Sequence, residues 1–473
     1  MLKQLSQFRL KLYNALPDRA DAVLDLMDSL ASTPSARSVV ELSGSEFFRR
    51  KHSSIYDAVE HFFQATSPKT AATERWNFQT NLLRMSASYL PKPSTRNFFL
   101  FGVDSVTLPR LYADTLEDRS FVHQPTVLRG NKPITIGHRY SFLVALPEPE
   151  VGDYARWVFP LSVQRIASTQ KSTTVAQQQL HLLLGQEDVG LKEQLCVAVG
   201  DTAYSAADYL CALAPDENLV MIARLRSNRK LYRPSKPNVT RKRKKARGRP
   251  RWYDKALRVK DERLWQAPDE TATAIWTTQH GKNHTVTISA INDLRMRGKK
   301  KAPMHDKALR LVHIQVTDAE GKAVFKKPLH LVAFGQRQED LALREIYTAF
   351  KERFNLEHFF RFGKQRLLLA RAQTPIVETE ENWCDLVALT YQQLFLARRA
   401  VQQVRQPWEG KLKADEQSKS AAKSPSAAQR GFARIIRRIG TPAQSPKPRN
   451  NSKGRTQGFK PMPRVRFEVV KKT

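Results

Sequence analysis

The sequence predicts an α/β protein, and three patterns in its 473 residues lead to that class. Apolar residues recur at helical spacing ahead of Pro91, so the N-terminal region is predicted to be helical. Short apolar runs alternate with helical segments over 96–226, which indicates strands followed by helices and therefore an α/β core. Thr- and Val-rich alternation fills 227–332 and predicts a β-rich insertion.

Each predicted element rests on a local pattern. The run FFLFGV at 98–103 is almost wholly apolar, which suits a buried strand. Further strands are predicted at 138–146, 156–164, 195–200, 219–225, 273–292 and 309–317. Helices are predicted at 2–16, 22–30, 55–63, 76–89, 174–184, 206–213, 340–369 and 380–404.

Composition excludes several classes of protein. With 41% hydrophobic and 9% aromatic residues the chain has enough apolar material for folded cores, which excludes a mainly disordered protein. No apolar run approaches the 18 or so residues of a membrane span, so we expect no membrane partner and a cytoplasmic protein. Cys196, Cys211 and Cys384 form no C-x-x-C pair, so neither a disulfide framework nor a cysteine zinc site is supported.

The net charge of +34, from 79 basic and 45 acidic residues, favours a polyanionic partner, with nucleic acid ahead of a membrane surface. Residues 409–473 hold 17 Lys and Arg against 4 Asp and Glu, in a segment without sustained periodicity. Residues 241–251 read RKRKKARGRPR, in which Arg247, Arg249 and Arg251 resemble an AT-hook core that enters a narrow minor groove. We therefore predict that these arginines contact DNA, although charge runs are also common in solvated linkers.

Three carboxylates stand where a phosphodiester-cleaving α/β enzyme needs them. Asp104 follows the 98–103 strand, Asp201 follows the 195–200 strand, and Glu357 lies on the predicted helix 340–369. Functional side chains gather at strand ends in open α/β sheets, and two Mg²⁺ ions about 3.5–4 Å apart require hard oxygen ligands. Taken alone, Asp201 can equally be a cap for the helical segment that follows it.

The predicted helix 340–369 carries a narrow polar stripe. Arg353, Glu357 and Lys364 fall within about 40° of one another around the helix, while phenylalanines occupy the other directions. Such a stripe faces either solvent or a site, and Arg353 with Glu357 can also be a simple i,i+4 ion pair.

Asp104, Asp201 and the sequence R-x3-E-x6-K formed by Arg353, Glu357 and Lys364 resemble, in this order, the catalytic core of bacterial insertion-sequence transposases of the Asp-Asp-Glu type. The resemblance is to the group with a Y-x2-R-x3-E-x6-K signature and covers about 98–404. It implies a ribonuclease H-like core with a β-rich insertion before the catalytic glutamate.

One position departs from that group. Phe350 occupies the place of the signature tyrosine, so a phenol contact to phosphate is missing there. Tyr347 lies three residues earlier, about 60° away around the helix, and could replace it only imperfectly.

The resemblance also implies roles. Asp104 would bridge two Mg²⁺ ions, Asp201 and Glu357 would each complete the shell of one ion, and Mn²⁺ is expected to substitute for Mg²⁺. Arg353 and Lys364 would hold phosphates of the transposon end. The implied function is a nucleoid-associated DNA transposase that cleaves terminal inverted repeats of double-stranded DNA and joins them to target DNA as a homodimer.

Four regions follow from this interpretation. They are a helical DNA-binding domain at 1–95, a catalytic core at 96–226 and 333–406, the β-rich insertion with its basic loop at 227–332, and a basic, flexible, mostly disordered tail at 407–473.

Two alternatives stay open. The first is a catalytically inactive, transposase-derived, sequence-specific DNA-binding protein, for which Phe350 is the support. The second is an RNA- or ribosome-associated basic protein, for which the tail would suffice but which leaves the three acids unexplained.

Overall fold

The computed structural model describes residues 2–124, 132–149, 156–235, 252–262, 265, 267–277, 281–402, 424–448, 454 and 456–471. Its α-helices are α1 (Leu2–Ala15), α2 (Ala20–Ser32), α3 (Ser53–Glu60), α4 (Ala71–Ala87), α5 (Ser172–Leu184), α6 (Ala207–Leu213), α7 (Leu343–Glu352), α8 (Phe354–Arg366), α9 (Val377–Gln402) and α10 (Pro425–Ile439). The first four correspond to the helical N-terminal region that the sequence predicts.

The strands make the protein a mixed α/β structure, as predicted. They are β1 (Phe98–Pro109), β2 (Ser120–His123), β3 (Ile134–Ala145), β4 (Phe159–Ile166), β5 (Leu195–Gly200), β6 (Leu219–Arg224), β7 (Lys230–Pro234), β8 (Tyr253–Arg258), β9 (Glu270–Thr277), β10 (Asn283–Met296), β11 (Leu309–Thr317) and β12 (Leu329–Phe334).

Contacts group the chain into two compact units. The first unit consists of Met1–Lys92, Ser105–Val189 and Asn355–Thr473, and the second of Pro93–Asp104 and Gly190–Phe354. Strand β1 passes from the second unit into the first after Asp104. These units do not follow the borders predicted after residues 95, 226 and 332, and the functional division into four regions stays a prediction.

The second unit is built on a large mixed sheet. Its strands follow the order β1-β5-β6-β12-β11-β10-β7-β8, with β9 also paired to β10. β1, β5 and β6 run parallel, whereas β12 runs antiparallel to β6. The strand-rich segment is therefore joined edge to edge with the parallel strands and does not form a separate sheet.

Strand β1 is longer than the predicted 98–103 segment. It continues through Asp104 to Pro109, with Val106 and Leu108 buried on alternate positions. Such alternation is the pattern of a strand with one buried face. The prediction that Asp104 ends its strand is therefore wrong, because the polar pair Asp104 and Ser105 interrupts the apolar run but not the strand.

The predicted helix 340–369 is divided in two. A 3₁₀ turn (Gln338–Asp340) precedes α7, and α8 begins directly after Arg353. The Arg353 amide donates to the carbonyl of Phe350, three residues back, at 3.2 Å. This tighter bond closes a single 3₁₀ turn at the junction, which periodicity alone does not reveal.

In the first unit, helices α1 and α2 pack against α9 around polar groups as well as apolar ones. Arg9 of α1 pairs with Asp28 of α2, and its guanidinium also donates to Oε1 of Gln393 on α9 at 2.5 Å. All three side chains are buried. A buried charge needs such partners, so this cluster fixes which helices meet here.

The tail prediction is wrong for residues 425–439, which form α10. Its buried residues lie at helical spacing and include Ala428, Phe432 and Ile436. They pack against α2 and α9. At Gly431 the approach to α9 is so close that a Cβ would lie 2.6 Å from a methyl carbon of Val401. The high charge of the segment concealed this apolar stripe, whose burial stabilises the helix.

Glu380 of α9, which has no exposed surface, forms a buried ion pair with Arg110 in the first unit. Arg110 donates to its Oε2 at 2.7 Å, Tyr140 donates to its Oε1 at 2.9 Å, and Nδ1 of His138 lies 3.0 Å from Oε1. Burial opposes the charge, but the hydrogen bond from His138 and the charge of Arg110 lower the pKa of Glu380 to about 2.

Replacing this carboxylate should destabilise the protein strongly. We expect Glu380→Gln to lower the free energy of unfolding by about 3–5 kcal/mol, because the Arg110 charge would stay buried without its counter-charge. Denaturant unfolding measures the loss. Glu60→Gln, at an exposed position of α3, is the matched control, and equal stability of the two variants would contradict this account.

The stabilisation by Glu380 should also depend on pH. The folded pKa of about 2 lies below the ordinary 4.5, so the unfolded chain takes up the proton first as the pH falls. The contribution is complete above about pH 5 and is lost towards pH 2. The difference in unfolding free energy between wild type and Glu380→Gln should therefore shrink over this range, and a constant difference would count against the lowered pKa.

Candidate active site

Asp104 and Asp201 come from two neighbouring parallel strands. Gly102 of β1 pairs with Val199 of β5, the last pair in their register. Asp104 lies two residues further along β1, and Asp201 is the first residue after β5, which ends at Gly200. Neighbouring strands are about 4.8 Å apart, so the register brings these two backbone positions to the same end of the β1–β5 pairing. The meeting of the two carboxylates stays a prediction.

Asp201 also serves as a local cap. Its backbone is extended, and its Oδ1 accepts the amide hydrogen of Ala203 at 2.8 Å, which begins the 3₁₀ turn Thr202–Ser205. Gly200 precedes it because a Cβ there would lie 2.6 Å from the Tyr204 ring. The capping alternative is therefore observed, and it uses one of the two carboxylate oxygens.

Arg353 reaches Asp104 across the second unit. Its Nη1 lies 3.4 Å from Oδ2 of Asp104, and the two side chains are 11% and 20% exposed. The guanidinium also lies 5.0 Å from the ring centre of Phe354 and 5.8 Å from that of Phe350. The Arg353 guanidinium is thus close to the Asp104 carboxylate, which is predicted to bridge the metal ions.

Glu357 and Lys364 both lie on α8, in the first unit. Glu357 is exposed in the first turn of the helix, and Lys364 is partly buried near its end. Burial lowers the pKa of the Lys364 ammonium group. The meeting of Glu357 with the two aspartates, which belong to the second unit, stays a prediction.

The position of the missing tyrosine is apolar in the structure as well. Phe350 is 3% exposed. Tyr347 is partly buried, which raises its pKa, and Nζ of Lys351 lies 5.4 Å from its ring centre. A role for Tyr347 at a phosphate also stays a prediction.

Two other expectations concern the AT-hook-like arginines and membrane-spanning helices. Arg247, Arg249 and Arg251 lie outside the residues that the structure describes, so their contact with DNA stays a prediction. In the part of the chain that it does describe, no helix is both long and apolar enough to cross a membrane.

The second unit also holds a group of possible metal ligands that was not predicted from the sequence, formed by Glu262, His313 and His330. Burial lowers the pKa of both histidines, and for His330 the neighbouring His313 and Arg224 bring it to about 4. The two histidines are 17 residues apart in sequence, and only the pairing of β11 with β12 brings them opposite each other. A hairpin prediction with a defined register could have found them.

The two roles of Asp201 can be separated by substitution. We expect Asp201→Ala to lower the free energy of unfolding by about 1 kcal/mol, because the Ala203 amide loses its acceptor. Asp201→Asn keeps an oxygen at this position and should retain most of that stability while losing the negative charge. Thermal unfolding of both variants measures the difference, and equal melting temperatures would mean that the cap contributes nothing.

Comparison with known proteins adds a family to this geometry. The model of the DDE superfamily endonuclease family matches residues 11–288, more than half of the 473 residues. The match includes Asp104 and Asp201 and ends before Glu357. No curated protein sequence matches the chain. Because this match covers more than half of the residues, the chain belongs to the DDE superfamily endonuclease family.

Proposed function

We propose that this protein is a DNA transposase with a ribonuclease H-like core, in which Asp104, Asp201 and Glu357 hold two Mg²⁺ ions. The observation that supports the proposal is the β1–β5 register, which brings the backbone positions of Asp104 and Asp201 to the same end of that pairing in a chain of the DDE endonuclease family. Nucleases of this family generally act on DNA with divalent metal ions. Cleavage of transposon ends and strand transfer can share one site because both are displacements at a phosphodiester.

The donor set suits this metal. Mg²⁺ prefers carboxylate oxygens and keeps several water ligands, and the two aspartates offer such oxygens from adjacent strands. Mn²⁺ has the same preference and should substitute. When bound, the ions would lower the pKa of a water molecule or a DNA 3′-hydroxyl and so supply the nucleophile.

The remaining side chains would bind the substrate. Arg353 lies at Asp104, with its Nη1 3.4 Å from Oδ2 of the carboxylate. A guanidinium can also pair with phosphate through two parallel hydrogen bonds, so Arg353 is suited to the scissile strand. Lys364, eleven residues further along the chain, would hold a second phosphate as a point charge.

A basic face on α10 supports DNA as the partner. Arg430, Arg434 and Arg438 are exposed and spaced four residues apart, so they lie on one side of the helix, away from its buried stripe. A row of arginines on an anchored helix can neutralise successive phosphates. The terminal repeats, the target DNA and the homodimer that would join two ends belong to the same proposal.

A second function is favoured by one observation. Position 350 is a buried phenylalanine, so the phenol of the signature is absent. Its absence is expected for a transposase-derived protein that binds DNA without cutting it. Cleavage measurements separate this DNA-binding protein from the enzyme.

Loss of a metal ligand should remove catalysis but not binding. We expect Asp104→Asn, Asp201→Asn and Glu357→Gln each to reduce Mg²⁺-dependent cleavage by about 10²–10³-fold or more, because a ligand that stabilises the developing charge is lost. The substrate is linear DNA carrying the inverted repeats that flank the reading frame. Gel-shift titration on the same DNA should give nearly unchanged affinity.

Glu217→Gln provides the matched control, since Glu217 is an exposed carboxylate of the second unit, to which Asp104 and Asp201 belong. It should cleave like the wild type. Wild-type cleavage by Asp104→Asn would refute the metal assignment. A wild-type chain that binds the repeats but never cuts them would support the second function instead.

The arginine face of α10 should contribute to DNA binding through its positive charge and not through the shape of the guanidinium group. We expect the triple change of Arg430, Arg434 and Arg438 to Gln to reduce the slope of log K against log salt by about 0.9 for each phosphate that the variant no longer neutralises. The same triple change to Lys should preserve the slope, because the charge is retained. Equal slopes for all three proteins would exclude this face from DNA binding.

A further inference from the structure

Two histidines of the second unit form a directly opposed pair on neighbouring strands. His313 of β11 is in register with His330 of β12, and their ring centres are 5.2 Å apart with an angle of 33° between the rings. Paired residues of an antiparallel ladder direct their side chains to the same face of the sheet. The pairing of the two strands therefore places the two imidazoles next to each other.

This pair lies on the opposite face of the sheet from Asp104. Gly200, Ala223 and Val332 are in register across three strands, so they share one face, and His330, two residues from Val332, shares it. Asp104 shares the other face with Gly102, whose partner Val199 directly precedes Gly200. The histidine pair is thus separate from the proposed metal-bridging carboxylate.

A carboxylate completes the group. Oε1 of Glu262, from the segment after β8, lies 3.3 Å from Nε2 of His313 and 3.7 Å from Nε2 of His330. All three ligand atoms lie within 4.8 Å of one another. Two ligands of a tetrahedral ion, each at about 2.0–2.1 Å, are about 3.3 Å apart, so the two distances from Glu262 are close to those of neighbouring ligands on one ion.

Apart from Glu262, the two nitrogens have no polar partner among the described residues. His330 is 7% exposed, and neither its Nε2 nor that of His313 makes a well-formed hydrogen bond there. The Trp265 ring lies edge-on to both imidazoles, with centres 5.2 and 5.7 Å away, and its own Nε1 donates to the carbonyl oxygen of Arg258. Buried polar atoms without partners are costly, and a ligand would satisfy both at once.

We propose that Glu262, His313 and His330 form a binding site for a divalent transition metal of the zinc type. Two imidazole nitrogens and one carboxylate oxygen suit Zn²⁺ or Co²⁺, whereas Mg²⁺ takes oxygen ligands. The side chain of Glu262 is 46% exposed, so solvent can supply a fourth ligand and the ion can enter. The ion would fasten the segment after β8 to strands β11 and β12, whether or not the protein cuts DNA.

Metal titration of the purified full chain, stripped with EDTA, tests this site. We expect one Co²⁺ per chain to bind with the visible absorption of a four-coordinate ion, and Zn²⁺ to displace it and raise the melting temperature. Excess Mg²⁺ should leave the Co²⁺ spectrum unchanged. His313→Ala and His330→Ala should weaken Zn²⁺ binding about a hundredfold or more, since even indirect ligand partners contribute 10–100-fold.

Two controls make the outcome decisive. His305→Ala removes another histidine of the same unit, whose ring stacks on Trp252, and Glu217→Gln removes an exposed carboxylate of that unit; both should bind Zn²⁺ like the wild type. If a histidine variant fails to fold, Glu262→Gln, at a half-exposed side chain, carries the test and should lower the affinity at least tenfold. Absence of Co²⁺ binding, or binding unchanged in Glu262→Gln and the histidine variants, would overturn the proposal.

Discussion

The in-register parallel pairing of β1 with β5 determines where the chemistry of this protein can lie. Every residue of β5 is buried, so a slip by one residue would exchange the side chains of two packed faces, which close packing does not tolerate. With the register fixed, Asp104 and Asp201 come to the same end of the β1–β5 pairing. Ladders continue from β5 through β6 to β12 and β11, so the same register assigns Asp104 and the histidine pair to opposite faces.

Much of the fold could be predicted because local pattern and tertiary environment agree. Strands β5 and β11 were predicted to the residue, since each is an apolar or alternating segment bounded by turn residues. Prediction failed where a tertiary contact overrides the local pattern. Asp104 and Ser105 break the apolar run of β1 without ending it, and the buried stripe of α10 is hidden in a strongly basic composition.

The site was predictable to a similar degree. Residue order and strand position single out Asp104 and Asp201 as candidates, although Asp104 lies within β1 and not at its carboxyl end. Their catalytic role stays a prediction. The contact of Arg353 with Asp104 was not foreseen, since it joins a helix junction to a strand 249 residues away. The pairing of His313 with His330 depends on a hairpin register, for which the sequence carries no explicit signal.

The divided first unit has a consequence for how the chain folds. Its segments lie before residue 93 and after residue 354 as well as in between, and the bond from Arg9 to Gln393 spans 384 residues. At a synthesis rate of about 5–20 residues per second, Arg9 waits roughly 20–80 s for that partner. The residues of the second unit all leave the ribosome before residue 355. That unit can therefore fold before the first. The N-terminal helices meanwhile expose apolar faces on the ribosome, and such surfaces are the ones that chaperones bind.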